Sequence, residues 1–170
     1  VEPNVPYDGR FTFVRLQYTN PGRGGWAFDY PAMERNFMTV VNDLTTMKPH
    51  VRGSNVLTMD DPALSRYVIA YLSEPGYWVP NASEAAGLRT WLHKGGFLIV
   101  DDFFGSQWAN FERSMRAVLP DARIAVGHGQ MEDDELEEVM RSFVHGERQM
   151  LLTTTIIENG LDIPNVNTII

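Results

Sequence analysis

Short apolar runs alternate with helical patterns along the first 120 residues, and this alternation limits the possible folds more than any other feature of the chain. The run FTFVRLQY (11–18) alternates large apolar with polar side chains, as a strand does, and NVLTMDD, YVIAYLS and GFLIVDD are further β-rich runs. Helical patterns follow the first, third and last of these runs. The resulting order predicts an α/β fold of three layers, in which helices cover both faces of a mostly parallel sheet.

Three helices are expected beside these strands, each marked by apolar residues that recur at helical spacing. Ser83 is expected to cap the second helix, and Lys94-Gly95-Gly96 is expected to end it. The apolar positions are Met33, Phe37, Val40, Val41 and Leu44 in the first helix, Leu88, Trp91 and Leu92 in the second, and Trp108, Phe111, Met115 and Val118 in the third.

Charge and aromatic content both change near Pro120. Residues 1–120 carry 11 Lys and Arg against 12 Asp and Glu, a net charge of −1, whereas residues 121–170 carry 3 against 10, a net charge of −7. Of the 19 aromatic residues, 18 precede position 121. The change predicts two units, 1–120 and 121–170. We expect them to form one compact body, because the strands of the second unit need a sheet to join.

Composition excludes several kinds of site. The chain has no cysteine, which rules out disulfides, thiolate metal ligands and a cysteine nucleophile, and the spacing of its histidines matches no zinc site. The phosphate-binding pattern G-x-x-x-x-G-K-[ST] does not occur, so no self-contained ATP site is expected. No apolar run approaches the roughly 20 residues that a membrane-spanning helix needs.

Aspartates follow three of the predicted strands. Asp29 lies in GGWAFDYP after the first strand, Asp60 and Asp61 end the second, and Asp101 and Asp102 end the last. Ligands of parallel α/β sheets bind outside the carboxyl ends of the strands, so these side chains predict a crevice suited to a cation or a polyol. The alternative is that each aspartate only caps the turn or helix that follows.

A first family resemblance covers roughly residues 7–120. The segments RLQY, GGWAFDYP, ERNFMTVVNDLT, LTMDDPAL, GGFLIVDDF and FERSMRAVLP resemble, in this order, the bacterial domain of unknown function 4159. The resemblance implies the flavodoxin-like layout of class I glutamine amidotransferases. Those enzymes attack with a cysteine, which this chain lacks, and no G-x-S-x-G elbow offers a serine instead. A non-catalytic binding role is therefore implied.

A second resemblance covers residues 123–170. RIAVGHGQM, EDDELEEVMRSFVHG and QMLLTTTIIENGLDIPNVNTII resemble consecutive parts of the second motor lobe of the transcription-repair coupling factors, which are superfamily-two DNA translocases. The helical part has one apolar face and a glycine stop, so the stretch predicts a strand-helix-strand unit of a RecA-like sheet. The residues concerned are Leu136, Val139, Met140, Phe143 and Gly146.

The motor resemblance implies roles for five residues. Thr154, Thr155, Gly160 and His128 are expected to contact a nucleic-acid phosphate, and Asp162 is expected to approach the ribose of a nucleotide. These motors hydrolyse ATP between two lobes, and only part of one lobe is represented here. ATP and Mg²⁺ are therefore expected as cofactors only in a complete motor.

Three functional hypotheses follow. The first is a composite chain in which a binding domain is joined to a translocase fragment, with no self-contained catalytic site. The second is a single binding or scaffold module without a nucleic-acid role. The third is a small-molecule or carbohydrate enzyme that uses the strand-end aspartates.

The two resemblances imply different partners and different cellular locations. The composite hypothesis makes DNA a weak partner and implies RNA polymerase only through the motor family, and the sequence offers no membrane segment. The motor family implies a cytoplasmic location, whereas members of the first family are often exported.

Overall fold

The computed structural model describes residues 1–19, 25–127 and 131–153. Short 3₁₀ turns at Pro62–Arg66 and Pro75–Tyr77 accompany the strands and α-helices of these ranges. In chain order, the strands and α-helices are β1 (Phe13–Gln17), α1 (Ala32–Leu44), β2 (Ser54–Thr58), β3 (Ile69–Ser73), α2 (Ala82–His93), β4 (Phe97–Asp101), α3 (Gln107–Val118), β5 (Ile124–Gly127), α4 (Asp133–Val144) and β6 (Met150–Thr153).

The main sheet contains four parallel strands in the order β2-β1-β3-β4. Phe13 pairs with Ser54 where β1 meets β2, and Ile69 pairs with Phe97 where β3 meets β4. The chain moves outward from β1 to β2 and then returns to the other side of β1 to form β3. The gap between the carboxyl ends of β1 and β3 is therefore the topological switch point, where α/β sheets bind ligands.

Side chains of alternate residues pack on opposite faces of this sheet. Val14 and Leu16 of β1 lie in one core cluster with α2 and α3, whereas Phe13 packs with Met38 of α1 and Tyr71 of β3 in a second cluster. Trp91 and Phe111 represent α2 and α3 in the first cluster. The predicted three-layer α/β fold is confirmed.

Two details differ from the sequence prediction. Helix α2 begins after Asn81, whose side chain accepts a hydrogen bond from the Glu84 amide while the Glu84 carboxylate accepts one from the Asn81 amide. This capping box displaces Ser83 from the predicted cap position. Helix α1 is present as predicted, but it turns Glu34 and Met38 toward the sheet, while Val40 and Leu44 remain largely exposed.

The expectation that the strands of the second unit join the main sheet is wrong, because the last two strands described form a sheet of their own. β5 pairs in parallel with β6 in a separate two-stranded sheet, and no ladder within the described residues joins β4 to β5. Ile124 of β5 nevertheless belongs to the main core cluster, together with Val118 and Leu119 at the end of α3. The backbone of β5 therefore pairs with β6 along one edge, while the Ile124 side chain of β5 packs in the main core.

Helix length has one further consequence. Within the ranges described, every helix is too short or too polar to cross a lipid bilayer.

A buried ion pair connects the sheet to α1. Arg15 of β1 and Glu34 of α1 are 0% and 2% exposed, and the guanidinium Nε of Arg15 donates to the Glu34 carboxylate. The Nη1 atom of Arg15 also donates to the carbonyls of Trp26 and Phe28, at 2.7 and 2.9 Å, and the guanidinium carbon lies 4.8 Å from the centroid of the Tyr71 ring. One side chain therefore fixes the sheet, α1 and the segment before α1 to each other.

We expect Glu34→Ala to lower the free energy of unfolding by about 3–5 kcal/mol, because it leaves the buried guanidinium of Arg15 without its counter-charge. The double variant Arg15→Leu with Glu34→Leu should lose less unfolding free energy than Arg15→Leu and Glu34→Leu lose in sum when each is made alone. Chemical denaturation measures both. The control is Glu138→Ala, which breaks the exposed pair with Arg141 and should change stability by less than about 1 kcal/mol. Equal losses for the two Ala variants would contradict this account.

Candidate ligand crevice at the carboxyl edge of the sheet

Four carboxylates lie at the carboxyl edge of the sheet around the switch point. Glu74 directly follows β3, Asp101 ends β4, Asp102 follows it, and Asp29 lies in the segment before α1 that Arg15 holds. We call this group the carboxylate crevice. It brings together three residues that the sequence predicted and one, Glu74, that it did not.

Glu74 connects three strand ends. Its amide donates to the carbonyl of Asp101 at 3.0 Å, and its own carbonyl accepts the Tyr18 hydroxyl at 2.7 Å. Its carboxylate accepts the amide of Gly25, at the beginning of the segment before α1. Burial of the Tyr18 hydroxyl, with the nearby charge of Glu74, raises the pKa of that phenol. Tyr18 therefore stays a neutral donor at this edge.

Asp101 is held by two hydrogen bonds on its two oxygens. Its Oδ1 accepts the Asp102 amide at 2.8 Å, and its Oδ2 accepts the Tyr71 hydroxyl at 3.3 Å. Burial of the Tyr71 ring, followed by the charge of Asp101, raises the pKa of Tyr71 to about 12. The carboxylate of Asp101 is thus oriented by a phenol that keeps its proton.

Asp102 shows that the four carboxylates are close enough to interact. Partial burial raises the pKa of Asp102, and the charges of Glu74, Asp101 and Asp29 raise it further. No ion pair among the described residues involves any of these four side chains. The four carboxylates therefore place like charges near one another at this edge, and this repulsion disfavours the ionised form of Asp102.

The backbone at the crevice is also unusual. Asp29, Glu74 and Asp102 have φ angles of 57°, 47° and 63°, and they are the non-glycine residues with positive φ in the described part of the chain. An L-residue in this left-handed region costs conformational free energy, which the surrounding hydrogen bonds must offset. Each of these backbones projects a carboxylate from a strand end or from the segment that Arg15 anchors.

Exposed aromatic residues lie close in the chain to the carboxylates. Phe28 precedes Asp29 and is 52% exposed, Tyr77 follows Glu74 by three residues and is 42% exposed, and Phe104 is 79% exposed. Aromatic faces attract cations and the apolar faces of organic ligands. Exposed aromatic side chains therefore accompany the carboxylates in the segments at this edge.

The other predicted residues fall outside the crevice. Asp61 follows β2, on the far side of β1 from β3, where its side chain accepts the amide of Ala63 and caps a 3₁₀ turn. Hydrogen bonds from Thr58 and Ser83 lower the pKa of Asp60. The alternative of turn capping therefore fits the pair after β2. The residues implied by the motor resemblance, His128, Thr154, Thr155, Gly160 and Asp162, lie outside the described residues.

Sequence reasoning missed Glu74 although the signal was present. Glu74 follows the apolar run YVIAYLS, so the rule that selected Asp101 after GFLIVDD selects it as well. As for metals, no group of three or more His, Asp or Glu residues in the described ranges has a geometry that could hold an ion.

Comparison with known proteins gives two overlapping matches. A family model described as "Domain of unknown function (DUF4159)" matches residues 12–128, and one described as "Helicase conserved C-terminal domain" matches residues 103–170. Both resemblances inferred from the sequence are thus confirmed.

The curated relatives found match about a third of the chain. The transcription-repair-coupling factor of Staphylococcus haemolyticus (strain JCSC1435) is 57% identical over 56 residues, which are 33% of this chain and 5% of the relative. The same protein of Staphylococcus aureus (strain USA300) is 55% identical over 56 residues, with the same coverage. The matched stretch spans about one-twentieth of the length of these relatives. This chain therefore contains a segment that is similar to part of the transcription-repair-coupling factors and that matches the helicase C-terminal family model.

We expect Asp102→Asn to raise the melting temperature by about 1–2 °C at pH 7, because it removes a carboxylate whose ionised form is disfavoured in the fold. A raised folded-state pKa favours the folded state at low pH and costs stability as the group ionises, so the gain should vanish below about pH 4. Thermal unfolding followed by circular dichroism at both pH values measures the effect.

The matched control is Asp60→Asn. The pKa of Asp60 is lowered, so its charged form stabilises the fold above the ordinary pKa of an aspartate, and this contribution is lost as the pH falls. Asp60→Asn should therefore lower the melting temperature at pH 7. A change of the same sign in both variants would contradict the assignment of like-charge repulsion to Asp102.

Proposed function

The chain belongs to the DUF4159 family, and on this premise we propose that it is a non-catalytic binding module joined to a fragment of a DNA-translocase lobe. The overlap of the two family matches supports this composite. Residues 103–128 belong to both matches, and they include α3 and β5. Phe111 and Met115 of α3 lie in one core cluster with Ile124 of β5. The fragment is therefore packed against the module through elements that both families share.

The binding site of the module is the carboxylate crevice. The observation that carries this assignment is the placement of Glu74, Asp101 and Asp102 at the adjoining carboxyl ends of β3 and β4, where the Glu74 amide donates to the Asp101 carbonyl at 3.0 Å. Such a cluster lowers stability, and it gains free energy when a ligand neutralises it. The crevice also lies at the switch point, where the loops of parallel α/β sheets contact bound ligands.

An organic cation fits this site better than a metal ion or a polyol. The described carboxylates lack the convergence that a metal needs, and the exposed rings of Phe28, Tyr77 and Phe104 provide cation–π contacts. A polyol would leave the repulsion among the carboxylates in place. A neutral sugar is therefore the second candidate ligand, favoured only by the aromatic rings.

The translocase fragment has too little positive charge to bind DNA by itself. Thr154 and Thr155, which the motor resemblance assigns to a phosphate, are neutral donors that contribute about 0.5–1.5 kcal/mol each. Residues 121–170 carry a net charge of −7, whereas non-specific DNA binding depends on cations that displace counterions. ATP, Mg²⁺ and RNA polymerase would engage this fragment only as part of a complete motor.

We expect the isolated chain to bind DNA no more tightly than roughly 10⁻⁴ M at physiological salt, and to show no ATP turnover. Fluorescence anisotropy with a labelled oligonucleotide and a phosphate-release assay test the two statements. The double variant Thr154→Ala with Thr155→Ala is the control. Micromolar binding that this variant abolishes, or ATP turnover that DNA stimulates, would assign motor function to the fragment.

We expect arginine amide, a compact dication, to raise the melting temperature at millimolar concentration and low salt, because it neutralises the carboxylate crevice. The variant Asp29→Asn with Asp102→Asn should lose most of this shift. Its matched control is Asp133→Asn with Asp134→Asn, which removes the same charge from the exposed start of α4 and should keep the shift.

If both double variants lose the same part of the melting-temperature shift, the shift depends on net charge alone, and the crevice is not the binding site. Stabilisation by sorbitol, with none by arginine amide, would favour the polyol alternative.

A further inference from the structure

Strand β2 lies at one edge of the main sheet, and its own sequence does not protect it from pairing with another chain. Among the described residues, β1 is the only strand that pairs with β2. β2 has the sequence SNVLT, which contains neither a charge nor a proline. Edge strands commonly carry such residues, because the unpaired N–H and C=O groups of an edge otherwise accept a further strand. Protection of this edge is therefore expected from a neighbouring segment.

Residues 1–10 lie along this edge, and we call them the strap. The carboxamide of Asn4 forms two hydrogen bonds with one residue of β2: Nδ2 donates to the Val56 carbonyl at 3.1 Å, and Oδ1 accepts the Val56 amide at 2.8 Å. A residue of an antiparallel strand exchanges the same two bonds with the residue opposite it. The side chain of Asn4 therefore takes the place of a further strand at Val56.

The residue after Asn4 extends this contact along β2. The amide of Val5 donates to Oδ1 of Asn55 at 2.7 Å, and Nδ2 of Asn55 donates to the Tyr67 hydroxyl at 2.7 Å. The side chain of Val5 lies directly on Gly53, because a Cβ added to Gly53 would be 2.3 Å from Cγ1 of Val5. The strap therefore covers the edge from Gly53 to Val56.

Polar contacts hold the strap at both of its ends. The amide of Glu2 donates to the Tyr30 hydroxyl at 3.0 Å, and the carboxylate of Glu2 pairs with Arg35 of α1. Near the other end, Oδ1 of Asp8 lies 3.0 Å from Nε2 of His50. These contacts keep Asn4 and Val5 in line with β2.

Two prolines prevent the strap from presenting a new edge to solvent. Pro3 and Pro6 flank the pair Asn4-Val5, and a proline has no N–H to donate. The strap is accordingly not a β-strand in the structure. A regular strand at this place would cover β2 but would expose another row of donors and acceptors. The strap therefore ends the sheet.

Little buried surface holds the strap in place. Val5 is half-buried, and the other nine residues of the strap are exposed. By contrast, Asn55 beneath the strap is only 2% exposed. Segments with few buried apolar contacts open locally at a small cost in free energy. The strap is therefore easier to displace than the strand that it covers.

We propose that the strap closes β2 against strand pairing, and that its release lets β2 pair with β2 of a second copy in antiparallel orientation. Val56 is the third of the five residues of β2, so a two-fold axis beside it places Ser54 of one copy opposite Thr58 of the other. The two Val56 residues then exchange the two bonds that each now makes with Asn4. β2 carries no charge, so no like charges meet across the axis.

The expected dimer is weak. The carbonyl of Thr58 already accepts the Asp61 amide at 3.1 Å, which limits new pairing to the middle and the beginning of β2. So short an edge gives an interface at the low end of specific interfaces. Association of the released chain should therefore depend on concentration in the micromolar to millimolar range.

Hydrogen exchange of the Val56 amide tests the closed state. Asn4→Ala should accelerate this exchange at least about tenfold, because the Asn4 carboxamide shields the amide. The matched control is Asn42→Ala, since the Asn42 side chain donates to its neighbour Asp43 on α1. If Asn4→Ala leaves the exchange of the Val56 amide unchanged, the strap does not close the edge, and the proposal is overturned.

Sedimentation velocity of the full chain, from about 1 µM to about 500 µM, tests the consequence of release. The natural chain should remain a monomer, whereas Asn4→Ala with Val5→Gly should form a dimer at the higher concentrations. The control is Asn42→Ala with Val79→Gly, which removes the same two residue types outside the strap and should stay monomeric. Circular dichroism verifies that each variant folds.

A proline in β2 tests which edge associates. Adding Val56→Pro to the released variant should abolish the dimer, because it removes the N–H that would pair across the axis. Proline is tolerated at such an outward position of an edge strand. Release without association up to about 500 µM overturns the proposal. Association that Val56→Pro leaves intact overturns it as well.

A disulfide between strap and β2 tests release within one protein, since the chain has no cysteine of its own. A Cβ added to Gly53 would lie 3.7 Å from Cβ of Val5, within the range of about 3.5–4.5 Å that a disulfide needs. Val5→Cys with Gly53→Cys, in the Asn4→Ala background, should be monomeric when oxidised and should dimerise when reduced. Equal association in both states contradicts the proposal. None of these results bears on the carboxylate crevice, which lies at the carboxyl edge.

Discussion

The guanidinium of Arg15 is a full charge on a central strand of a parallel sheet, a position where both faces are buried. Such a charge is tolerated only when it is paired and hydrogen-bonded, so the position of Glu34 on α1 and the carbonyls of Trp26 and Phe28 are constrained together. This requirement sets the rotation of α1 about its axis. Because Glu34 and Met38 turn toward the sheet, Val40 and Leu44 of the same helix are left largely exposed.

The same constraint reaches the candidate site. Arg15 holds the carbonyl of Phe28, and the next residue is Asp29, whose left-handed backbone belongs to the crevice. On the other strands, Glu74 and Asp102 adopt the same backbone region directly after β3 and β4. Conformational strain and like charge thus coincide at one edge of an otherwise regular sheet. Proteins commonly keep such local costs where a ligand or a partner repays them.

The junction between the two family matches has a physical explanation. In this chain both matched stretches contain parallel strands with helices beside them, so the helix α3 and the strand β5 belong equally to the end of one match and the beginning of the other. Ile124 keeps its place in the main core, while the backbone of β5 pairs with β6 rather than with β4. This strand therefore contributes a side chain to the main core and, along one edge, a backbone ladder to the second sheet.

Local sequence determined the helices and strands, because apolar periodicity and turn residues act within a few positions of each other. It also determined that carboxylates follow the strands, so Asp101 and Asp102 were predictable, as Glu74 would have been. Tertiary structure alone decided which strand ends meet: strand order separates Asp61 from the crevice. Tertiary structure also decided which side of α1 is buried. Once α1 covers β1, the buried guanidinium of Arg15 requires the carboxylate of Glu34, and this requirement outweighs the burial of the apolar side chains Val40 and Leu44.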